Sequence, residues 1–175
     1  AQNLVHANVE RLVKASESGE EITGLPTGFD DLDRMTGGFR PANLIVVAAR
    51  PSMGKTALAL GMALNAALDH DKTVAIFSLE MSKDEIIGRM LSSAAMIDGS
   101  RLGTAADRLA KCNIFIDDSE GVTVAEMRTK SRRLKSRMGL DLVVIDYIQL
   151  MEGMPGKRRD ENRVQEISAI SRSLK

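Results

Sequence analysis

The segment Ala49-Arg50-Pro51-Ser52-Met53-Gly54-Lys55-Thr56 ends on a glycine, a lysine and a hydroxyl in direct succession. It fits the phosphate-binding pattern G-x-x-x-x-G-K-[ST], with Ala49 in place of the usual first glycine. An apolar run precedes it and an Ala- and Leu-rich run follows, which predicts a strand ending and a helix beginning at this loop. The first N–H groups of a helix have no acceptor inside it, and they point outward along the positive end of the helix dipole. That chemistry suits the polyphosphate of a nucleotide such as ATP. The candidate contacts are Ser52, Met53, Gly54, Lys55, Thr56 and Ala57. Gly54 lets the backbone approach closely. Lys55 places a point charge on the outer phosphates, and the Thr56 hydroxyl can ligate Mg²⁺. Ala49 removes one flexible position and no phosphate ligand.

Two carboxylates complete the candidate chemistry. Asp146 follows the apolar run Leu142-Val143-Val144-Ile145. An acid at the C-terminal end of a buried parallel strand stands at the rim where ligands bind, and beside a phosphate loop it helps to hold Mg²⁺. Its plainer reading is a cap on the next turn. Glu80, in Ser78-Leu79-Glu80-Met81, also ends a strand. It either orients and deprotonates an attacking water or stands as a solvated carboxylate before a helix, and spacing does not choose. Asp117 and Asp118 precede Ser119 and Gly121, which predicts a turn rather than a metal site.

The elements that position these residues follow from periodicity. Val74-Ala75-Ile76-Phe77, Ile114-Phe115-Ile116 and Leu142-Val143-Val144-Ile145 read as strands, as does Leu44-Ile45-Val46-Val47-Ala48, which is apolar throughout as in a strand buried on both faces. Ala57–Leu68 is built of strong helix formers. Ser82 with Glu85, and Thr123 with Glu126, have capping-box spacing at the start of two further helices. Gly24, Pro26, Gly28, Gly37, Gly38 and Pro41 mark turns. Strands alternating with helices predict an α/β fold, a mostly parallel sheet with helices on both faces. Leu4, Val5, Val9, Leu12 and Val13 form an apolar stripe over residues 3–16, a helix that docks on a neighbouring subunit or packs on its own domain. Val164, Ile167, Ile170 and Leu174 are again helical in period and run to Lys175 without a glycine cap, so a longer natural chain is expected.

Composition bounds the rest. The chain has 175 residues, 43% of them apolar, which suits one domain with a single core, here from residue 22 onward with residues 1–21 as a helix and linker. No apolar run approaches the ~18 residues that span a bilayer, and no secretion signal opens the chain, so a cytoplasmic location is expected. The single cysteine, Cys112, excludes an internal disulfide and reads as a buried structural thiol rather than a reactive one. Net charge is zero, and with no tryptophan, one tyrosine and four phenylalanines a base-stacking platform is disfavoured. Two basic clusters remain. Arg128, Lys130, Arg132, Arg133, Lys135 and Arg137 suit a solvated helix face. Lys157, Arg158 and Arg159 form a loop near Asp146 that either grips nucleic-acid phosphates or is solvated.

Together these segments resemble the DnaB-type replicative DNA helicases over nearly the whole chain. The resemblance rests on Ile22-Thr23-Gly24-Leu25-Pro26-Thr27-Gly28-Phe29, on Ala48 through Thr56, on Phe77-Ser78-Leu79-Glu80-Met81-Ser82, on Val144 through Met151 and on Glu161 through Ser168. The strings Ala-Arg-Pro-Ser-Met-Gly-Lys-Thr and Ser-Leu-Glu-Met are more specific than a generic phosphate loop, and Ala49 is a family feature. The resemblance implies a RecA-like P-loop NTPase fold and a homo-oligomeric ring, usually a hexamer, around single-stranded DNA. It implies Glu80 as the catalytic glutamate, Lys55 and Thr56 as phosphate and Mg²⁺ ligands, and Asp146 as the Walker B acid. It implies that residues 3–16 dock on the next subunit and that residues 152–163 face the channel, with Lys157, Arg158 and Arg159 on DNA. Primase and a helicase loader are the implied partners.

The family's primase-binding N-terminal domain has no counterpart in these residues. Its sensor glutamine, arginine finger and remaining DNA loop belong to positions past Lys175. Between Leu102 and Gly103 the chain is shorter than the family pattern. An arginine finger is worth ~10³–10⁵ in rate, so slow hydrolysis by this chain alone is expected. Two readings compete with an unwinding motor. One is a recombination-type DNA-dependent ATPase, from which Ser-Leu-Glu-Met separates the chain by resemblance. The other is a nucleotide-sensing assembly module, which has no need of a water-activating Glu80.

Overall fold

A computed structural model of the chain describes residues 22–50, 52–97, 102–147 and Arg172. The chain divides into two compact units, one up to Pro41 and one from Ala42 onward.

In the first unit, helix α1 spans Asp30–Thr36. The glycines and prolines of this stretch predict only turns, yet a helix forms among them. Its signals are Asp30, Asp31 and Asp33 in the first turn, which favour the positive end of the helix dipole, and Gly37 as a left-handed C-cap with φ of 69°. The Asp33 carboxylate is 2% exposed and accepts three backbone N–H bonds, from Thr27 at 2.8 and 3.1 Å and from Gly28 at 3.1 Å. It thereby satisfies donors of a loop that has no ladder partner at those positions. Leu25 and Phe39 pair across the unit as an antiparallel bridge.

Gly24 is required there. A Cβ on it would stand 2.6 Å from the Gly38 carbonyl carbon and 2.7 Å from the Phe39 oxygen, both backbone atoms with no rotamer to give. Gly24→Ala should therefore destabilise the chain by about 1–3 kcal/mol, as overpacking does. Gly88, inside a helix of the second unit and with nothing within 4 Å of an added Cβ, is the matched control. Gly88→Ala should be neutral or stabilising by up to ~1 kcal/mol. Thermal melts of the two variants check this, and equal melting temperatures would show that Gly24 is not sterically constrained.

The second unit is a three-stranded parallel sheet with helices between its strands. Its order along the chain is α2 (Lys55–Leu68), β1 (Val74–Ser78), α3 (Lys83–Ile97), α4 (Leu102–Ala110), β2 (Ile114–Asp117), α5 (Val124–Met138) and β3 (Leu142–Asp146). The spatial order is β2-β1-β3, with Val74 opposite both Ile114 and Leu142, and Ser78 opposite Asp146. Central β1 is buried at all five residues. Ala75 and Phe77 pack on Val122 and on Met127 of α5, while alternation along the strand sends Val74 and Ile76 to the opposite face. In α2, Leu60, Met62, Ala63, Leu64, Ala66 and Ala67 are buried, and in α3 so are Ile86, Met90 and Ala94.

Both expected capping boxes are present. Glu126 accepts from the Thr123 N–H at 2.9 Å while its own N–H reaches the Thr123 hydroxyl at 3.3 Å, and Ser82 and Glu85 exchange the same pair of bonds at 2.9 and 3.3 Å. Helix α4 was not expected, although Leu102, Ala105, Ala106 and Leu109 recur at helical spacing.

The expected strand over 44–48 is corrected by the structure. Those residues pair with no strand, and Leu44, Ile45, Val46 and Val47 are exposed, Val46 by 75%. An apolar composition does not make a strand; a partner's ladder of hydrogen bonds does, and among the described residues nothing pairs with the outer edge of β3. The apolar stripe at 3–16, the helical segment from Val164 and the basic loop at 157–159 lie outside the described residues.

Candidate nucleotide site

The loop that ends at Gly54 turns sharply. Ser52 adopts a left-handed φ of 64°, the Met53 N–H donates to the Arg50 carbonyl at 3.3 Å, and Gly54 takes φ of 84° as the N-cap of α2. No side chain caps the helix and no acid lies in its first turn. The Leu58 N–H is bonded to the Gly54 carbonyl at 2.9 Å, so the N–H groups of Lys55, Thr56 and Ala57 precede the helix's own ladder. Among the described residues, nothing lies within 4 Å of where a Gly54 Cβ would project. Unfilled donors, a positive dipole end and open space in front of them suit an anion.

Ninety residues further on, Asp146 ends β3 and is 7% exposed. The Thr56 hydroxyl donates to its Oδ2 at 2.6 Å, and the Lys55 ammonium stands 3.0 Å from its Oδ1. The same ammonium sits over the Tyr147 ring, 4.1 Å from the centroid. Burying the carboxylate is sustained by these two partners, since an unpaired charge there would be costly. A hydroxyl and a carboxylate meeting at 2.6 Å are hard oxygen donors of the kind Mg²⁺ takes.

The third acid arrives by register. Since β1 and β3 run parallel with Ser78 opposite Asp146, their C-terminal ends share one edge of the sheet. The Leu79 N–H donates to the Asp146 carbonyl at 2.7 Å. The Ser78 hydroxyl donates to the Met81 carbonyl at 2.7 Å and accepts from the Met81 N–H at 3.1 Å, closing a turn that leaves Glu80 exposed. Just past β2, the Asp118 carboxylate accepts the Lys83 N–H at 3.0 Å, fixing the start of α3 close after Glu80.

A family model described as the DnaB-like helicase C terminal domain matches residues 24–175. The chain belongs to the DnaB-like helicase C-terminal domain family. Its relatives include the replicative DNA helicase DnaB of Geobacillus stearothermophilus, 49% identical over 168 residues, and the replicative DNA helicase DnaC of Bacillus subtilis, 48% identical over 168 residues. Each alignment covers 89% of this chain and 37% of the relative, so the chain spans little more than a third of their length. Among solved structures it is similar to a DnaB-like replicative helicase, solved in a study of its interactions with primase, with a TM-score of 0.78 and 39% identity over 94% of this chain and 43% of that one. A second solved structure, described as an ATPase domain, gives a TM-score of 0.81 and 37% identity over 98% of this chain and 65% of that one. These likenesses bear out the RecA-like α/β fold.

In this DnaB-like domain the structure thus brings Lys55, Thr56 and Asp146 into direct contact and sets Glu80 at the end of the adjoining strand. Ser52, Met53, Gly54 and Ala57 surround the same helix start. The acids Asp117 and Asp118 do form a turn: Asp117 accepts from the Ser119 N–H at 3.1 Å and hydroxyl at 2.6 Å, and it pairs with Lys130. Burial alone would raise the Asp117 carboxyl, but the hydrogen bonds from Lys130 and Ser119 outweigh it and hold its pKa below the usual carboxylate value. On α5, Arg132, Arg133, Lys135 and Arg137 are exposed, as a solvated face requires. Cys112 is half-buried rather than fully buried. Its thiol donates to the Arg108 carbonyl, and desolvation pushes its pKa up, which keeps it protonated and unreactive. Sequence reading missed the Ser78 turn, the bond from the Lys83 N–H to Asp118, and Tyr147. Only Tyr147 carried a visible signal, as the chain's single tyrosine placed directly after Asp146.

Proposed function

We propose that this chain is the ATP-hydrolysing motor of a replicative DNA helicase, which translocates on single-stranded DNA and unwinds duplex at the replication fork. The observation that carries it is the convergence of Lys55 and Thr56, at an uncapped helix start, on the Asp146 carboxylate, with Glu80 ending the neighbouring strand. In this reading the N–H groups around Gly54, Lys55, Thr56 and Ala57 bind the phosphates of ATP, helped by Ser52 and Met53. Lys55 neutralises charge on the outer phosphates as it builds up. Thr56 and Asp146 hold Mg²⁺, which when bound supplies further neutralisation of that charge. Glu80 orients the attacking water and takes its proton.

Residues 22–175 form the ATPase core, and residues 1–21 are the linker that docks on the next subunit of a ring, a hexamer by family resemblance. Lys157, Arg158 and Arg159 contact the DNA backbone from the channel side. Primase and a loader are partners of the assembled protein, which works in the cytoplasm; among the described residues no helix is long and apolar enough to cross a membrane.

The test follows ATP-dependent separation of a forked DNA duplex by the full-length protein. Unwinding that needs hydrolysable ATP is expected. DNA-stimulated hydrolysis without strand separation would place the protein with the recombination-type ATPases, and nucleotide binding without hydrolysis would make it an assembly module.

A further inference from the structure

The groups that the proposed function sends to phosphate and Mg²⁺ are here turned on each other. Asp146 takes the Thr56 hydroxyl on one oxygen and the Lys55 ammonium on the other, and the Tyr147 ring covers a further side of that ammonium at 4.1 Å. The Lys55 side chain is only 28% exposed and that of Asp146 9%. A phosphate that takes Lys55 competes with both partners for the ammonium.

The carboxylate accounts for charge pairing but not for the ring. A cation over an aromatic face is attracted by the negative face of the quadrupole, and the attraction grows as water is excluded. Tyr147 directly follows Asp146, whose backbone carbonyl accepts the Leu79 N–H at 2.7 Å. Of Tyr147 and Lys55, Lys55 has the longer side chain and is the one that the nucleotide-binding reading sends to phosphate.

We infer that the Tyr147 ring is a resting dock for the Lys55 ammonium that nucleotide must displace, so that Tyr147 acts as a positioning residue setting nucleotide affinity through the empty state. The inference rests on the nucleotide-binding reading of Lys55. A ligand that binds only the undocked state sees its affinity scaled by the fraction of molecules undocked. Weakening the dock should thus tighten nucleotide binding, the reverse of what loss of a ligand contact does. From the usual strength of such contacts the gain should be about two- to fivefold.

Two readouts on the full chain decide it. The first is the rate at which an amine-reactive ester labels Lys55 without nucleotide, followed by peptide mass spectrometry. The second is the affinity for a fluorescent ADP analogue with Mg²⁺. Tyr147→Leu, which keeps apolar bulk without a ring, should label roughly two- to fivefold faster and bind the analogue tighter by a similar factor. Tyr147→Phe keeps the ring face and should match the wild type in both. Pentafluorophenylalanine at this position keeps the ring's shape while inverting its quadrupole, and it should behave like the leucine variant even if the latter folds poorly. Equal labelling in all four proteins would overturn the dock. Faster labelling with unchanged or weaker ADP affinity would overturn the competition. No binding by the wild type would remove the nucleotide reading itself, and with it the competition, while the labelling rates would still report on the dock.

Discussion

Glu80→Gln should lower ATP turnover by roughly 10²–10⁴-fold, the range that a positioned general base contributes. Nucleotide affinity should stay within about twofold. The two halves of this expectation come from different features. Glu80 sits beyond the end of β1, in the turn closed by Ser78 and Met81, and it touches neither Lys55 nor Thr56 in any hydrogen bond or ion pair among the described residues. Replacing its carboxylate by an amide removes proton acceptance and leaves the phosphate-binding loop unaltered. The turn should survive as well, because it is held by the Ser78 hydroxyl and by Asp118 on the Lys83 N–H rather than by Glu80 itself. Single-turnover hydrolysis read beside a nucleotide titration separates the effects. Turnover within tenfold of wild type would remove Glu80 from the chemistry.

Lys55→Ala should weaken ATP and ADP binding by about 10–100-fold, the loss expected for one or two charge-assisted hydrogen bonds to phosphate. It should also destabilise the empty protein. Asp146 would keep only the Thr56 hydroxyl at 2.6 Å, and a carboxylate 7% exposed would lose its counter-charge. Fully buried pairs cost about 3–5 kcal/mol to break, but Lys55 is partly solvated, so about 1–2 kcal/mol is expected. A double variant in which Asp146 is also made neutral, Lys55→Ala with Asp146→Asn, should recover part of that stability while remaining unable to bind nucleotide tightly. Unchanged ADP affinity in Lys55→Ala would refute the phosphate role, and undiminished stability would show that water already screens Asp146.

How much of this was legible in the sequence depends on the range of the interaction that fixes each element. Helices α2, α3 and α5 and strands β1, β2 and β3 are set by local features: strong helix formers after Gly54, two capping boxes, and short apolar runs. Lys55 and Thr56 were legible for the same reason, since their role follows from being the first residues of a helix. Asp146 was legible from its position at a strand end. What the pattern could not show was that three of these groups meet across ninety residues, or that Tyr147 joins them.

Two misses have opposite causes. Residues 44–48 have the composition of a buried strand and lack the ladder partner that would make them one. Helix α1 has glycines close by and a short length, and it forms because Asp33 supplies acceptors to the Thr27 and Gly28 N–H groups. For residues 44–48 the missing partner lies beyond any local window, whereas the signals of α1, its acidic first turn and Gly37, are local and were outweighed by the surrounding turn residues.

The two capping boxes have a consequence for acid. Glu85 and Glu126 both have pKa values held below the ordinary 4.5, first by backbone N–H bonds and then by the hydroxyls of Ser82 and Thr123. A carboxyl whose folded pKa is depressed adds stability that is fully present above its unfolded pKa and lost as pH falls through the folded one. Below about pH 4.5, therefore, both clasps weaken together. Helices α3 and α5 follow the C-terminal ends of β1 and β2, so both clasps sit on the edge of the sheet that carries Glu80 and Asp146. Acid thus acts first on the starts of helices α3 and α5, at the end of the sheet that carries the candidate chemistry, while the buried apolar residues of β1 carry no group that titrates there.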